Sequence, residues 1–504
     1  MFKRIPKMAT AISGPRLGDL IAGISVALIA IPQSLAYAEL AGMPAYRGLY
    51  AVALPPLLAA FFVSLPYLQA GPVATTSLLT FAVLSHFAQA ASPDYIALAA
   101  LLAIVVGCVR ILIGMLQWGA VAYLLSQPVL LGFISAAAIL IIASQLPTVL
   151  GASPSGDLVI VNAIWTLAHP QTWHLPTLLL GFVTIALILG GRRFHALFPG
   201  VLIAVALGLV CTQAFDYPVE TIGDVPVGLP TVSVHLPWKI LPNLLLGGMI
   251  IAIVGFSEAA SIASTYATMD RLSWNPNREF VSQGIANIVS GLAGGFPVGA
   301  SFARTAANRL AGAQTRWSSA ITGLVVISLL PFTHSLAWLP KVTLGAIVIS
   351  SVVSLVRLRP LWKLRRSSRP QAYLGWVTFL LTLALAPRID IAVLIGVVLA
   401  VAHHLRREQR LIYEYWIEAD SLHFKPKGVL WFGSAPAVED KLVSLLSDYP
   451  DIRVIQIHLD GLGRIDLSAA MMLDHFRSEV RKTGIEVELL NVPPMAKSWV
   501  ERVW

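Results

Sequence analysis

The stretch GGFPVGASFARTAANR, residues 294–309, decides the fold of this chain, because helix-breaking and polar residues interrupt a sequence that is otherwise strongly apolar. Gly294, Gly295 and Pro297 break one segment, and Ser301 with the backbone of Gly299 and Ala300 would supply donors at the start of the next helix. Arg304 follows about one turn later. Such a stretch is typical either of a soluble loop or of a membrane helix that begins halfway across the bilayer. The composition of the whole chain distinguishes the two.

Composition indicates a polytopic membrane protein. Of the 504 residues, 57% are hydrophobic and only 12% are charged, whereas soluble domains carry about 25% charged residues. Windows such as 20–31, 98–109, 178–189 and 389–402 are apolar on every face, and about 20 apolar residues span a bilayer. The apolar run from Leu20 continues past the length of a signal peptide, so it predicts a first membrane helix.

The net charge of +9 does not indicate nucleic-acid binding, because the basic residues gather at predicted membrane edges. They cluster at 3–16, 192–193, 357–369 and 406–410. Short loops rich in Lys and Arg stay in the cytoplasm, so both termini are predicted to be cytoplasmic. Four basic residues disagree with this pattern, since it would place them at or near the outer surface: Arg47, Lys239, Lys341 and Arg388.

No metal site, cofactor site or enzyme active site is predicted. Cys108 and Cys211 lie singly in apolar runs. Metal-ligand spacing is also missing from the histidines at 86, 195, 334, 403 and 404. A Walker loop, a nucleophile elbow and a catalytic triad are absent from the sequence, which disfavours an ATP-driven pump or an enzyme.

An internal repeat connects the quoted stretch to an earlier one. Pro72-Val73, in GPVATTS (71–77), recurs as Pro297-Val298, an offset of 297 − 72 = 225 residues, and the same offset takes Pro32-Gln33 to Ser257-Glu258. Paired interrupted segments in two halves of a chain indicate the midplane site of a transporter. We therefore predict that residues 71–77 and 296–301 each start a half-helix, whose free N–H groups and partial positive charge would bind an anion.

Several side chains at these interruptions have more than one interpretation. Glu258 could bind the coupling proton or ion, or form a structural ion pair, for example with Arg304. Arg304 could attract the anion, pair with Glu258, or extend toward the cytoplasmic interface. Thr75 and Thr76 could offer hydroxyls to the anion or bond back to their own helix.

The longer stretch NREFVSQGIANIVSGLAGGFPVGASFARTAAN (277–308) resembles the long motif of SulP anion transporters, the solute carrier 26 family. IPQSLAYAELAG (31–42) resembles the family's first-helix signature, and GPVATTS its third-helix turn. HLDGLGRIDLSAAMMLDHF (458–476) resembles a STAS domain. The resemblance implies an α-helical membrane protein with fourteen segments in two inverted seven-segment repeats, which form core and gate domains, and it implies homodimers. Hydropathy alone would give roughly ten to twelve segments.

The resemblance also implies site residues. Gly299, Ala300, Ser301 and Arg304 match the family's anion site at the second half-helix, and Gln33 and Tyr37 match positions that line it. Gln33 could instead satisfy backbone groups freed by Pro32. In the family, the position of Glu258 carries an acid linked to coupling, while some relatives have an aspartate and use sodium.

The expected organisation has five parts: a cytoplasmic segment (1–16), a first membrane repeat (17–213), an extracellular connection (214–239), a second membrane repeat (240–404) and a STAS domain (410–504). In the tail, residues 454–459 and 485–492 are predicted strands, and 437–446 and 467–482 are predicted helices. The tail therefore reads as a small α/β domain.

The predicted function is secondary active transport of a small anion across the inner (plasma) membrane, by proton-coupled symport through Glu258. A dicarboxylate such as fumarate is the first expected substrate, and sulfate or sodium-coupled bicarbonate are alternatives. A nucleobase symporter, an uncoupled channel and a membrane-tethered signalling protein remain rival classes. In the tail, Asp466 is followed by Leu467 and then Ser468. This departs from tails with a phosphorylatable serine directly after the aspartate, so a scaffold or dimer-shaping role is expected.

Overall fold

The computed structural model describes most of the chain, namely residues 14–123, 125–156, 158–194, 198–215, 217–223, 225–226, 228–230, 236–409, 412–494, 497 and 503. Parts of the features named above lie outside these ranges: residues 3–13 of the first basic cluster, His195, residue 410 of the last basic cluster, and residues 216, 224, 227 and 231–235 of the connection. The predicted N-terminal segment and the extracellular connection are therefore described only in part. The chain forms two compact units, residues 1–397 and 398–504.

The first half of the chain contains eight α-helices and one short strand among its described residues. They are α1 (Leu17–Leu40), α2 (Arg47–Ala59), β1 (Ala70–Gly71), α3 (Ala74–Leu84), α4 (Pro93–Met115), α5 (Gln127–Leu150), α6 (Val159–Ala168), α7 (Leu175–Phe194) and α8 (Gly200–Phe215).

The second half repeats this pattern, again with a two-residue strand before a short helix. Its elements are α9 (Leu241–Asp270), α10 (Pro276–Leu292), β2 (Gly299–Ala300), α11 (Phe302–Leu310), α12 (Trp317–Leu329), α13 (Lys341–Val352), α14 (Leu358–Ser367), α15 (Arg369–Ala384) and α16 (Ile389–Glu408).

The fourteen expected segments are not fourteen long helices. Among the described residues, eight helical segments have the length and hydropathy to cross a membrane. Shorter apolar helices include α3, α6 and α8. The interruptions explain the lower number of long helices. Helices α3 and α11 begin only after a stretch of non-helical backbone, so each is too short to span a bilayer by itself.

Packing divides the helices of the first unit into two groups. Helices α1–α4 pack with α9–α12, and α5–α8 pack with α13–α15. We call these the first and second helix groups. Glycines permit the closest approach in the first group, where α4 and α10 cross. There a Cβ atom added to Gly107 would lie 2.7 Å from the carbonyl oxygen of Gly284, which is typical of small-residue contacts between membrane helices.

The two interrupted segments are not equivalent residue by residue, although the constant offset of 225 residues predicts that they are. Helix α3 begins two residues after Pro72 (74 − 72 = 2), whereas α11 begins five residues after Pro297 (302 − 297 = 5). The two Pro-Val pairs therefore do not occupy equivalent positions. The second break holds three more residues of irregular or extended backbone, and these residues contain the partner strand β2.

The tail forms an α/β unit, as predicted. Its elements are β3 (Ile412–Glu418), β4 (Ser421–Leu430), α17 (Ala435–Asp448), β5 (Val454–His458), β6 (Leu462–Ile465), α18 (Leu467–Arg481) and β7 (Glu486–Leu490). The strand order is β3-β4-β5-β7, with β6 beside β4. Only the β3–β4 hairpin is antiparallel among the described pairings of this sheet. The predicted strands near 454 and 486 and both predicted helices are confirmed.

Candidate functional site: two opposed half-helices

The two interrupted segments meet as a two-residue antiparallel ladder. Ala70 pairs with Ala300 and Gly71 with Gly299, although the paired strands lie more than 200 residues apart in the sequence. Helices α3 and α11 follow β1 and β2 respectively. Because the strands are antiparallel, the two helices start from opposite ends of the ladder, which is the arrangement predicted from the repeat.

Helix α3 begins with backbone donors that no side chain caps. Its cap position, Val73, offers no side-chain acceptor, and the backbone bond at its start runs from the Ser77 N–H to the Val73 carbonyl oxygen at 3.0 Å. The N–H groups of Ala74, Thr75 and Thr76 precede that bond and have no partner within the helix. All three residues are buried. A buried helix start without a cap favours a bound ligand or water.

Helix α11 is capped, and this limits which of its donors could reach an anion. The Ser301 hydroxyl accepts from the Arg304 N–H at 3.3 Å, and the Ser301 N–H donates to the Gln69 carbonyl oxygen at 3.0 Å. In an antiparallel ladder, hydrogen-bonded and non-bonded pairs alternate, so the Ala300 N–H points away from β1. The expected donors at 299–301 therefore reduce to Ala300 and the Ser301 hydroxyl, whose hydrogen is not used by the cap.

Arg304 lies at the junction of the two segments. Its side chain is buried, with 1% of the residue exposed. Its Nη2 donates to the Pro72 carbonyl oxygen at 2.6 Å, while Nε and Nη1 are buried and meet no acceptor among the described residues. A Cβ atom on Gly71 would lie 2.9 Å from Nη1, so glycine permits the guanidinium to approach the strand this closely. A buried guanidinium with unused donors favours an anion as the missing partner.

The first helix adds polar side chains. Gln33 is 1% exposed, and neither its Oε1 nor its Nε2 has a hydrogen-bond partner in the described part of the chain. It therefore does not satisfy backbone groups freed by Pro32. Tyr37, one turn further, lies beside Ser351 on the second helix group, and the charges of Arg304, Glu258 and Arg192 act on it. The predicted residues of α1, α9 and α11 thus come together.

Glu258 is separate from Arg304. Among the ion pairs of the described residues, none joins the two side chains within 4.0 Å, so the predicted structural pair does not form. The Thr75 side chain is within hydrogen-bonding reach of the Glu258 carboxyl group, and Oε2 of Glu258 is buried without a partner. Thr76 instead donates to the Val73 carbonyl oxygen at 3.2 Å. Thr76 therefore bonds back to its own helix, whereas Thr75 lies beside Glu258, a role that the sequence analysis did not assign.

Three polar residues that the sequence analysis missed hold the second break. Asn287 accepts from the Val298 N–H at 2.9 Å and donates to the Val298 carbonyl oxygen at 3.0 Å. Ser290 donates to the Phe296 carbonyl oxygen at 2.7 Å. Arg110, which is fully buried on α4, donates to the Val298 carbonyl oxygen at 2.9 Å and to two carbonyl oxygens of α9. Arg110 stands in an apolar run, so the rule that singled out Glu258 could have found it.

The tail carries no serine directly after the aspartate, and Asp466 has a structural role. Its carboxylate accepts from the Ala469 N–H at 2.8 Å as the cap of α18, and from the Phe432 N–H at 3.1 Å. On the open face of the sheet, His423 Nδ1 lies 3.1 Å from His458 Nε2. Burial and the neighbouring His423 lower the pKa of His458. Across the described residues, no group of three or more His, Cys, Asp or Glu side chains is placed to hold a metal ion.

Comparison with known families matches both units. The profile of the sulfate permease family covers residues 17–378, and the STAS domain profile covers residues 417–503. A Mycobacterium tuberculosis protein named "Probable sulfate transporter" is 35% identical over 94% of this chain and 89% of its own length. A chloroplastic sulfate transporter of Arabidopsis thaliana is 33% identical over 75% of this chain and 57% of its own length.

Two solved structures share the fold. Murine Slc26a9, an anion transporter solved in the inward-facing state, superposes with a TM-score of 0.87 at 20% identity, covering 97% of this chain and 88% of the other. The transmembrane domain of the cyanobacterial bicarbonate transporter BicA gives a TM-score of 0.65 at 25% identity, covering 76% and 97%.

Proposed function

The chain belongs to the sulfate permease family of anion transporters, and from this premise we propose that it carries a small divalent anion together with a proton. The anion would bind between the starts of α3 and α11. The first helix group would then move against the second to expose the site to either side of the membrane. The observation that carries the proposal is the buried guanidinium of Arg304, which has unused donors beside an uncapped helix start.

A count of the charges at the site supports a divalent anion as the substrate and coupling of its transport to a proton. Each helix start carries about +0.5 of an elementary charge, and Arg304 carries +1, so these three groups supply about 0.5 + 0.5 + 1 = +2. The guanidinium of Arg110 is left out of this count, because the carbonyl oxygens of Ile251, Ala252 and Val298 take up its donors. The total balances a divalent anion when Glu258 is protonated. When Glu258 is ionised, the site holds only about +1, and a divalent anion would leave a buried net charge. Protonation of Glu258 and binding of the anion should therefore favour each other.

Sulfate is the substrate that we propose first, because relatives that span nearly all or most of this chain are named sulfate transporters. Fumarate, the substrate expected from the sequence, has the same charge and stays a prediction. Bicarbonate and chloride carry a single charge and fit the count of about +2 less well. Uptake by proteoliposomes of labelled sulfate, fumarate, bicarbonate, chloride and uracil, with and without pH or sodium gradients, tests the choice. Uracil uptake without anion uptake would contradict the proposal.

Replacement of Glu258 tests the coupling. Gln keeps the approximate shape of Glu and stays neutral, so Glu258→Gln should lose accumulation driven by a proton gradient while keeping exchange of anion for anion. Sodium should not restore accumulation. If Glu258→Gln protein still accumulates the anion against its gradient when protons drive it, Glu258 does not carry the coupling proton.

The rival signalling function requires the tail, whereas transport requires only the membrane unit. Protein truncated after α16 should therefore still move the anion in liposomes if its membrane unit folds. We also propose an inner-membrane location, cytoplasmic termini and a homodimer. A cysteine at position 410 should be labelled only from the cytoplasmic side, and cross-linking in membranes should give a dimer. Labelling from outside intact cells would reverse the proposed topology.

A further inference from the structure

Glu39 is an acidic residue near one end of the helix bundle in what we propose to be an anion transporter. It lies in the last turn of α1, six residues after Gln33 (39 − 33 = 6), and its side chain is only partly buried. It lines two cavities, one of about 230 Å³ and one of about 380 Å³. A carboxylate in this place would repel the substrate, so its presence requires a physical account.

The smaller cavity connects Glu39 to the neighbourhood of the anion site. Its walls come from both helix groups: Leu78 and Phe81 belong to α3, and Ser144 and Gln145 belong to α5. Leu78 follows Thr75 by three residues on the same helix, so the cavity begins about one turn beyond the site. The smaller cavity therefore lies between the two helix groups, close to the site and toward the end of the bundle where α1 ends, and we call this space the path.

The larger cavity continues this path and brings a basic residue opposite Glu39. Lys341, at the start of α13, lines it together with Glu39 and Tyr46. The Lys341 ammonium lies 2.6 Å from Oε1 of Glu220, and the Lys341 N–H donates to the Glu220 carbonyl oxygen at 2.9 Å. Lys341 and Glu220 are also the charged groups that act on Glu39. Glu39 belongs to the first helix group and Lys341 to the second, so their separation changes whenever the groups move.

We propose that Glu39 is a second proton-binding site, which controls entry of the anion from the end of the bundle where α1 ends. This inference rests on the proposed function, and the proposed topology makes that end extracellular. With Glu39 and Glu220 ionised and Lys341 charged, these three groups together carry −1 − 1 + 1 = −1. Arg47 and the ion pair of Arg388 with Asp390 flank the same cavities. A proton on Glu39 removes one negative charge from the mouth of the path, and the divalent anion can then approach more readily. The carboxylate takes its proton from the water at that end and returns it there, so this proton does not travel with the substrate.

The control operates separately from coupling at Glu258. When Glu39 is protonated, it no longer competes with Glu220 for Lys341. Lys341 then remains paired with Glu220 and does not bridge to the first helix group. Ionised Glu39 can attract Lys341 across the boundary between the helix groups, which closes the path at the same time as it repels the anion. Both effects point in the same direction: entry becomes faster as the pH at this end falls.

Charge-selective labelling tests the proposal, because it reports the electrostatic potential in the cavity and does not require transport. In full-length protein with Cys108 and Cys211 replaced by Ser, a cysteine in place of Ala386, on the wall of the smaller cavity, would react with an anionic and a cationic thiosulfonate reagent. The ratio of the two rates cancels the effect of pH on the thiol itself. We expect the anionic-to-cationic ratio to rise on the order of tenfold between pH 7.5 and pH 5.5, as a unit charge disappears at a distance of several ångströms.

Three variants at two positions complete the test. Glu39→Gln should give the high ratio at both pH values, Glu39→Asp should keep the pH dependence, and Glu220→Gln, which removes an equal charge from the exposed partner of Lys341, should keep it as well. An unchanged low ratio in well-folded Glu39→Gln protein would overturn the proposal. Anion uptake by the same proteins shows whether the proposed function itself fails, because labelling reports the charge of the path even in a protein that transports nothing.

Discussion

The first interrupted segment, residues 70–84, and the second, residues 299–310, each combine a two-residue strand with the start of a short helix. Their side chains differ. Helix α3 begins at an uncapped Val73 and contains no ionisable residue, whereas α11 has the Ser301 cap and the buried Arg304. The first segment therefore offers backbone donors and hydroxyls, and the second also supplies a full charge.

The two segments also differ in what holds them. Asn287, Ser290 and Arg110 bind the backbone of the second break. The first break has its polar anchors in the second half of the chain: the carbonyl oxygens of Tyr67, Leu68 and Pro72 accept from Asn308, Ser319 and Arg304 respectively, and the Gln69 N–H donates to Thr305. The asymmetry shows that α11 positions the first break, whereas α10 and α4 position the second. Damage to α11 should disturb both segments, and damage to α3 only one.

The largest effect is expected at Arg304. Arg304→Ala removes the charge and also frees the Pro72 carbonyl oxygen, so the anion affinity should fall about 100-fold, or about 3 kcal/mol. Arg304→Lys keeps the charge without the forked donors and should lie between Ala and the unaltered protein. The measurement is the concentration dependence of anion binding and uptake, beside thermal unfolding. Unaltered affinity in folded Arg304→Ala protein would show that α11 does not supply the charge.

A smaller effect is expected from the anchors of the second break. Asn287→Leu leaves the buried Val298 N–H without its acceptor, which should cost about 1–3 kcal/mol of stability. Ser290→Ala removes one neutral hydrogen bond and should cost about 1 kcal/mol. Thermal unfolding in detergent measures both, and uptake should fall in the same order. Equal and negligible losses would contradict the view that these side chains fix the second break.

The smallest effect is expected in the first segment, where two adjacent threonines form a matched pair. Thr75→Val removes the hydroxyl that faces Glu258, so it should shift the pH profile of uptake and lower the rate about fivefold, or about 1 kcal/mol. Thr76→Val removes a bond to its own helix and should leave the pH profile unchanged. Uptake rates between pH 5.5 and 8 measure both variants. A larger pH shift in Thr76→Val would exchange the two roles.

Much of this site follows from the sequence because local signals mark it. Gly and Pro mark both breaks, and Glu258 and Arg304 stand out as ionisable residues near apolar helices. The structure places the two breaks side by side, with Arg304 at their junction and Glu258 beside Thr75, and it corrects the equivalence of the Pro-Val pairs. The helix count was less predictable, since a half-helix of nine or eleven residues leaves a weak hydropathy signal.

The residues that hold the second break could not all be assigned from local sequence patterns. In the sequence, Asn287 and Ser290 resemble the polar residues of any helix that precedes a loop. Their role depends on the backbone at 296–298, which folds back to contact them. Gln69, which is buried with no partner for its side chain within the described residues, gives no signal in the sequence. Roles of this kind depend on contacts between distant elements, which periodicity does not report.

The position of the bound anion tests the central claim most directly. A structure of the full-length protein determined with the transported anion, with selenate replacing sulfate for its anomalous signal, should show the anion between the starts of α3 and α11. It should contact the Arg304 guanidinium and the backbone N–H groups at 74–76. An anion bound elsewhere, with Arg304 still donating only to the Pro72 carbonyl oxygen, would contradict the account.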